Sequence, residues 1–165
     1  GSLGSERINE TIKSNLDLFN ELDLQVSWQC GQIYYEKYKK DASNKVVIKP
    51  FISKMEQLYA AADFIISRAG AGSISELSCV GKPILLIPSP NVTANHQYRN
   101  AQALVKESAA LMVEEKDLEE KFKKHFSLLV SDESTQQELK QNLKRLSRPN
   151  ATQNIIREII QLNDN

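Results

Sequence analysis

Residues 63–77, "DFIISRAGAGSISEL", decide how this chain is read. An apolar run of strand length (63–67) enters Ala-Gly-Ala-Gly directly, and Ser-Ile-Ser-Glu (73–76) then opens a helix. Two glycines at such a junction cost backbone entropy, so the turn must need the room they leave. A helix N-terminus carries about half a positive charge and several unpaired N–H groups. Set behind a strand and a glycine turn, it makes an anion site. Gly70 and Gly72, on either side of Ala71, let amides approach a phosphate with no Cβ in the way, and Ser73 adds a hydroxyl. A diphosphate held in this way requires neither a P-loop lysine nor a metal. Glu76, one turn further in, has acceptor-only chemistry that suits the two donors of a ribose diol. Ser73-x-x-Glu76 is equally a capping box, with Glu76 returning to the backbone of its own helix. The spacing leaves both readings open.

Three other uses of such a turn fail on the residues. The only Gly-Lys pair (81–82) is followed by Pro83 rather than the Ser or Thr of a P-loop. The dinucleotide fingerprint lacks its third glycine, where Ser75 stands, and its acid comes four residues after Gly72 rather than about 20. No G-x-S-x-G elbow occurs.

Outward from this turn, strand and helix patterns alternate. Residues 6–22 place Ile8, Ile12, Leu16 and Phe19 on one helical stripe. Strands are expected at 24–30, 45–50, 63–67, 83–88 and 110–114. Helices are expected through Tyr34, Tyr35 and Tyr38, at 53–62 with Ser53 as cap and Glu56 three residues on, at 73–80 and at 95–107. Three charged helices follow. Continuously apolar strands between helices indicate α/β architecture: a Rossmann-like parallel sheet covered on both faces. Ligands of such sheets bind at the carboxyl ends of the strands, which singles out the loops at 49–53, 67–73 and 88–95, and the first residues. Gly1 stands where a strand-to-helix loop begins with no strand before it. The start is read as a native loop rather than an added dipeptide.

The 165 residues suit one domain, with an α/β core at 1–114 and a helical tail at 115–165. A chain of this length buries roughly 70% of its unfolded surface and needs no disulfide or metal staple. Lys plus Arg and Asp plus Glu are 21 each, a balance that argues against a nucleic-acid partner. Cys30 and Cys79 have no CxxC spacing and are expected to be reduced core thiols of a cytosolic protein. No apolar run reaches the roughly 18–20 residues of a membrane span, and no leader-like segment stands before the first helix. Trp28 is expected in the core, and 114–126 as a solvated helix face.

Read together, "GSLGSERIN" (1–9), "PFISKMEQLYAAADFIISRAGAGSISEL" (50–77), "GKPILLIPSP" (81–90) and "NHQYRNAQAL" (95–104) resemble, in order and spacing, the C-terminal half of the MurG family of N-acetylglucosaminyltransferases. The likeness runs strongly to about residue 114 and loosely beyond. It implies the C-terminal, donor-binding half of a GT-B glycosyltransferase, with UDP-N-acetylglucosamine as a substrate and no cofactor. By matching positions, Gly1, Ser2 and Gly4 border the diphosphate, and the Ile52 backbone reads the uracil edge. Arg68 and Gly70, Ala71, Gly72 and Ser73 face the nucleotide and its phosphates. Glu76 takes the ribose hydroxyls, Gln97 takes sugar hydroxyls with His96 beside it, and Asn95 caps the helix they start.

The family's N-terminal domain, with its lipid-acceptor loop, base candidate and membrane patch, is not in these residues. The resemblance therefore implies no catalytic residue here. It implies a partner domain, an undecaprenyl-linked acceptor bound through that domain, and a place on the inner face of the plasma membrane. Two alternatives stay open: a donor-binding subunit of a two-chain dolichol-pathway transferase, and an interaction module without a donor. The apolar face of "ATQNIIREIIQL" (151–162) is expected to pack partly against the absent domain.

Overall fold

Five short apolar runs become strands, and all pair in parallel. The structure, a computed structural model, describes residues 4–90 and 95–163. Strand β1 (Val26–Gln29) pairs with β2 (Val46–Lys49), Val26 opposite Val46. Strand β3 (Ile65–Ser67) pairs with β4 (Ile84–Leu86), and β4 with β5 (Leu111–Met112). The expected α/β architecture of parallel strands flanked by helices is present. Its described strands form two ladders, β1–β2 and β3–β4–β5, rather than one continuous sheet. The two are joined by side chains: Trp28 and Ile48 from the first share a core with Leu85 and Ile87 of the second.

The first helical stripe splits into α1 (Glu6–Ser14) and α2 (Leu16–Glu21). The break falls at Asn15, whose side-chain amide donates to the Thr11 carbonyl at 2.8 Å and satisfies a group the helix end leaves unpaired. The stripe still points inward: Ile12 and Phe19 are buried, and Ile8 and Leu16 pack against them. A 3₁₀ turn at 32–34 leads into the single-turn α3 (Tyr35–Tyr38). Helix α4 (Met55–Ala61) starts two residues later than expected, with Lys54 at its N-cap and no side-chain cap. The Ser53–Glu56 box therefore does not form.

Helix α5 (Ala71–Val80) ends at Gly81, whose φ of 68° provides the left-handed cap. Helix α6 (His96–Lys106) follows the segment after β4. Beyond β5 come a 3₁₀ turn at 115–117, α7 (Leu118–Ser131), α8 (Glu133–Leu146) and α9 (Ala151–Asn163).

Helices α7 and α8 are part of the core. Phe126 lies edge-on to Phe19 at 5.0 Å and stacks on Phe122 at 5.6 Å. Leu129 and Leu139 join that cluster, while Leu143 closes a second one with Leu77, Ala101 and Leu104. Trp28 is buried, as expected. Cys30 is buried but Cys79 is exposed, which corrects the reading of both as core thiols. Helix α5 turns Leu77 and Ser78 inward, and the next residue is rotated about 100° away. Among the described residues, no helix is long and apolar enough to cross a membrane.

Candidate functional site

The carboxyl ends of β3, β4 and β5 and the mouths of α1, α5 and α6 meet at one edge of the molecule. At the β3–α5 junction the glycine turn opens directly into a helix mouth. Gly70 is the N-cap of α5, extended at φ −64° and ψ 148°, and no side chain caps the helix. The helix starts at Ala71, two residues before the expected start. Ser73 thus lies inside the first turn, and the Ser73–Glu76 capping box is absent.

The first-turn amides of Ala71, Gly72 and Ser73 form the mouth, while Ile74 N–H already donates to the Gly70 carbonyl at 2.9 Å. A Cβ on Gly72 would meet nothing within 4 Å, and one on Gly70 only the Ser73 Oγ at 3.8 Å. Neither internal packing nor a left-handed φ asks for glycine at these positions. Ala71 and Gly72 are exposed and Ser73 half-buried, so among the described residues no side chain plugs the mouth. Glu76 is exposed one turn further along. Its carboxylate is near enough to Tyr59 of α4 that burial and this negative charge together hold the phenol above its ordinary value.

Gly4 has a different reason to be glycine. Its φ is 77°, and a Cβ there would stand 2.2 Å from the Cys30 carbonyl oxygen. The same carbonyl accepts from the side-chain amide of buried Asn9 at 2.8 Å, and Asn9 accepts from the Trp28 indole at 2.8 Å. The approach to α1 is therefore pinned onto the end of β1. Gly1 and Ser2 lie outside the described residues.

Arg68 is not free at the mouth. Its guanidinium donates to the Ile87 carbonyl at 3.1 Å and to Ser5 Oγ at 2.5 Å, and it forms an ion pair with Glu115. Ile52, after β2, has its N–H taken by the side-chain oxygen of Gln29 at 2.8 Å. Gln97 accepts through one oxygen from two loop amides, Ala69 N–H at 3.3 Å and Ser89 N–H at 3.0 Å. That oxygen is thereby committed to the two loops. His96 is exposed at the start of α6. Asn95 sits at the N-cap position with φ 54°, but its side chain makes no capping bond.

Sequence reasoning missed three supports. Asn100 donates to the Ala69 carbonyl at 3.1 Å, and its place one turn after Gln97 on the same helix face was a usable signal. Gln29 and Glu115 reach the site only through tertiary folding and carried none.

Residues 1–155 match the glycosyltransferase family 28 C-terminal domain. The chain belongs to this family. Among curated family 28 relatives, the UDP-N-acetylglucosamine--N-acetylmuramyl-(pentapeptide) pyrophosphoryl-undecaprenol N-acetylglucosamine transferase of Christiangramia forsetii is 48% identical over 165 residues, all of this chain and 45% of the relative. The same-named protein of Flavobacterium psychrophilum is 47% identical over 163 residues, 98% of this chain and 44% of its own length. The chain thus spans somewhat less than half the length of these relatives.

Among solved structures, Acinetobacter baumannii MurG superposes with a TM-score of 0.79 at 28% identity, covering 98% of this chain and 48% of that one. A glycotransferase of kitacinnamycin, at 21% identity and TM-score 0.66 over 87% of this chain and 37% of its own, shares the fold. The family 28 fold is the C-terminal half of a GT-B glycosyltransferase, in agreement with the resemblance read from the sequence.

Proposed function

We propose that this chain is the donor-binding half of an inverting N-acetylglucosaminyltransferase, which moves the sugar from UDP-N-acetylglucosamine to the 4-hydroxyl of lipid-linked muramoyl pentapeptide and so forms lipid II. The observation that carries this reading is the uncapped, glycine-walled mouth of α5 with Glu76 exposed one turn along it, in a chain 48% identical throughout its length to a transferase of that name.

The chemistry follows from the arrangement. As the glycosidic bond breaks, negative charge grows on the β-phosphate. Prearranged N–H dipoles at 71–73 stabilise it without reorganising, and their partial positive charge takes the place of a metal. Glu76 accepts from the ribose hydroxyls, and the loop at Ile52 lies along the base, where its carbonyl reads the uracil edge. These contacts orient rather than react. Gln97 offers its amide nitrogen to the sugar hydroxyls. Acid–base catalysis belongs to the N-terminal half, which also binds the undecaprenyl-linked acceptor at the inner face of the plasma membrane and covers α9.

UDP titrated calorimetrically into the protein tests this. Wild type binds, and chelation of divalent cations leaves the affinity unchanged. Glu76→Ala weakens UDP by roughly 10- to 100-fold, the equivalent of about one hydrogen bond to a charged group. No heat from wild type at millimolar UDP, or equal binding by Glu76→Ala, would refute the assignment.

A further inference from the structure

Arg68 immediately follows β3 beside the glycine turn, where a cation facing phosphate would be expected. Its contacts point elsewhere. We infer that Arg68, held by Glu115, is a positioning residue that locks the mouths of α1 and α5 into one cradle and does not itself bind the diphosphate.

A guanidinium presents five N–H donors in a fixed planar fork, and both terminal nitrogens of this one are already engaged. One terminal nitrogen donates to the carbonyl of Ile87, just past β4. The other donates to Ser5 Oγ and pairs with Glu115, which opens the turn after β5. The Arg68 side chain is only 19% exposed and that of Glu115 only 17%. A phosphate that drew the guanidinium out of this arrangement would leave a largely buried Glu115 carboxylate unpaired, which is the costly way to break such a pair.

What the fork joins is the informative part. Ser5 is the N-cap of α1 and accepts the Ile8 N–H at 3.4 Å while receiving Arg68. One side chain thus ties the cap of α1 to the carboxyl ends of β3 and β4 and to the turn at 115–117. Gly4, against Cys30, fixes the same loop from the other side. The relative placement of the two amide mouths depends on this tie, and a diphosphate spanning both senses any change in it. The nucleotide part of this inference rests on the reading in the preceding subsection.

The decisive variant is Glu115→Gln. If Arg68 were a phosphate ligand, removing this acid would free the guanidinium and delete a nearby negative charge, and UDP would bind more tightly. As a positioning pair, the expectation is reversed. Glu115→Gln weakens UDP about tenfold, while uridine, which lacks the phosphates, binds as before. Arg68→Lys retains the charge but not the fork, and weakens UDP as much as Arg68→Ala does. Equal or tighter UDP binding by Glu115→Gln, or full retention by Arg68→Lys, overturns the inference.

Wild type failing to bind UDP would refute the nucleotide reading instead. The tie is then decided without ligand, by amide hydrogen exchange at Ile8 and Asn9. Exchange there quickens in Arg68→Ala and in Glu115→Gln; unchanged rates overturn the tie.

Discussion

Four glycines of this chain divide by what a side chain would meet, and the division separates structure from function. At Gly4 a Cβ collides with the Cys30 carbonyl at 2.2 Å, and φ is already left-handed. Gly4→Ala must move backbone against backbone, and is expected to cost about 3 kcal/mol from overpacking and dihedral strain combined, seen as a clear drop in melting temperature. Gly72 is the opposite case. It lies within α5, has no neighbour within 4 Å of an added Cβ, and carries no positive φ. Alanine there should stabilise the fold by about 0.5–1 kcal/mol through helix propensity. On the proposed reading a phosphate sits against the 71–73 amides and the added methyl crowds it, so UDP binding should weaken while the melting temperature rises. Calorimetry and thermal melts on one sample check both halves, and a Gly72→Ala protein that binds UDP as well as wild type would remove the phosphate from this mouth. The glycines were legible in the sequence as a reason to look; which of them packing required was not, because that depends on the distant Cys30.

At the scale of elements, the order of strands and helices was readable and their edges were not. The apolar runs at 45–50, 63–67 and 83–88 became β2, β3 and β4, trimmed by one or two residues at their ends. Helix starts were misjudged where capping was inferred from residue type alone. Ser53 and Ser73 both suit an N-cap, yet the caps fell on Lys54 and Gly70, because the loop path from each preceding strand sets where helical dihedrals begin. The cap of α8 does follow its side chain. Asp132 accepts from Thr135 N–H at 3.1 Å and from its hydroxyl at 2.9 Å, and these bonds hold its carboxyl below the ordinary 3.8. A carboxyl depressed in the folded state contributes stability above its unfolded pKa, and that contribution disappears as pH falls through the folded one. Asp132→Ala should therefore melt below wild type at neutral pH, and the gap should close as the pH drops below about 3.8. A gap independent of pH would show that the cap acts without its charge. Such a cap was within reach of sequence reasoning, since Asp-x-x-Thr precedes an amphipathic run. The Arg68–Glu115 tie was not: α5, β4, α6 and β5 all lie between the two residues in the chain, and no local pattern connects them.

Across the whole molecule, the last described helix is the part that does not close on itself. The residues of α7 and α8 fill both core clusters, but Ile155, Ile156, Ile159 and Ile160 of α9 are each more than half exposed, and Leu162 is 76% exposed. These four isoleucines recur one and four residues apart, which places them on a single helical stripe. A contiguous apolar stripe of this kind marks an interaction surface rather than ordinary surface scatter. The relatives are more than twice the length of this chain, and the N-terminal half they imply is the surface we expect to cover α9. Without that half, the stripe should pair with its own copy. Light scattering on the 165-residue chain is expected to show a mass that rises with concentration, and removal of residues 151–165 should leave a monomer. Because every side chain described in 151–162 is exposed, that removal should leave the melting temperature and UDP affinity of the dilute protein unchanged. A strictly monomeric chain at high concentration would show that α9 needs no cover, and a truncated chain that melts earlier would return the helix to the core.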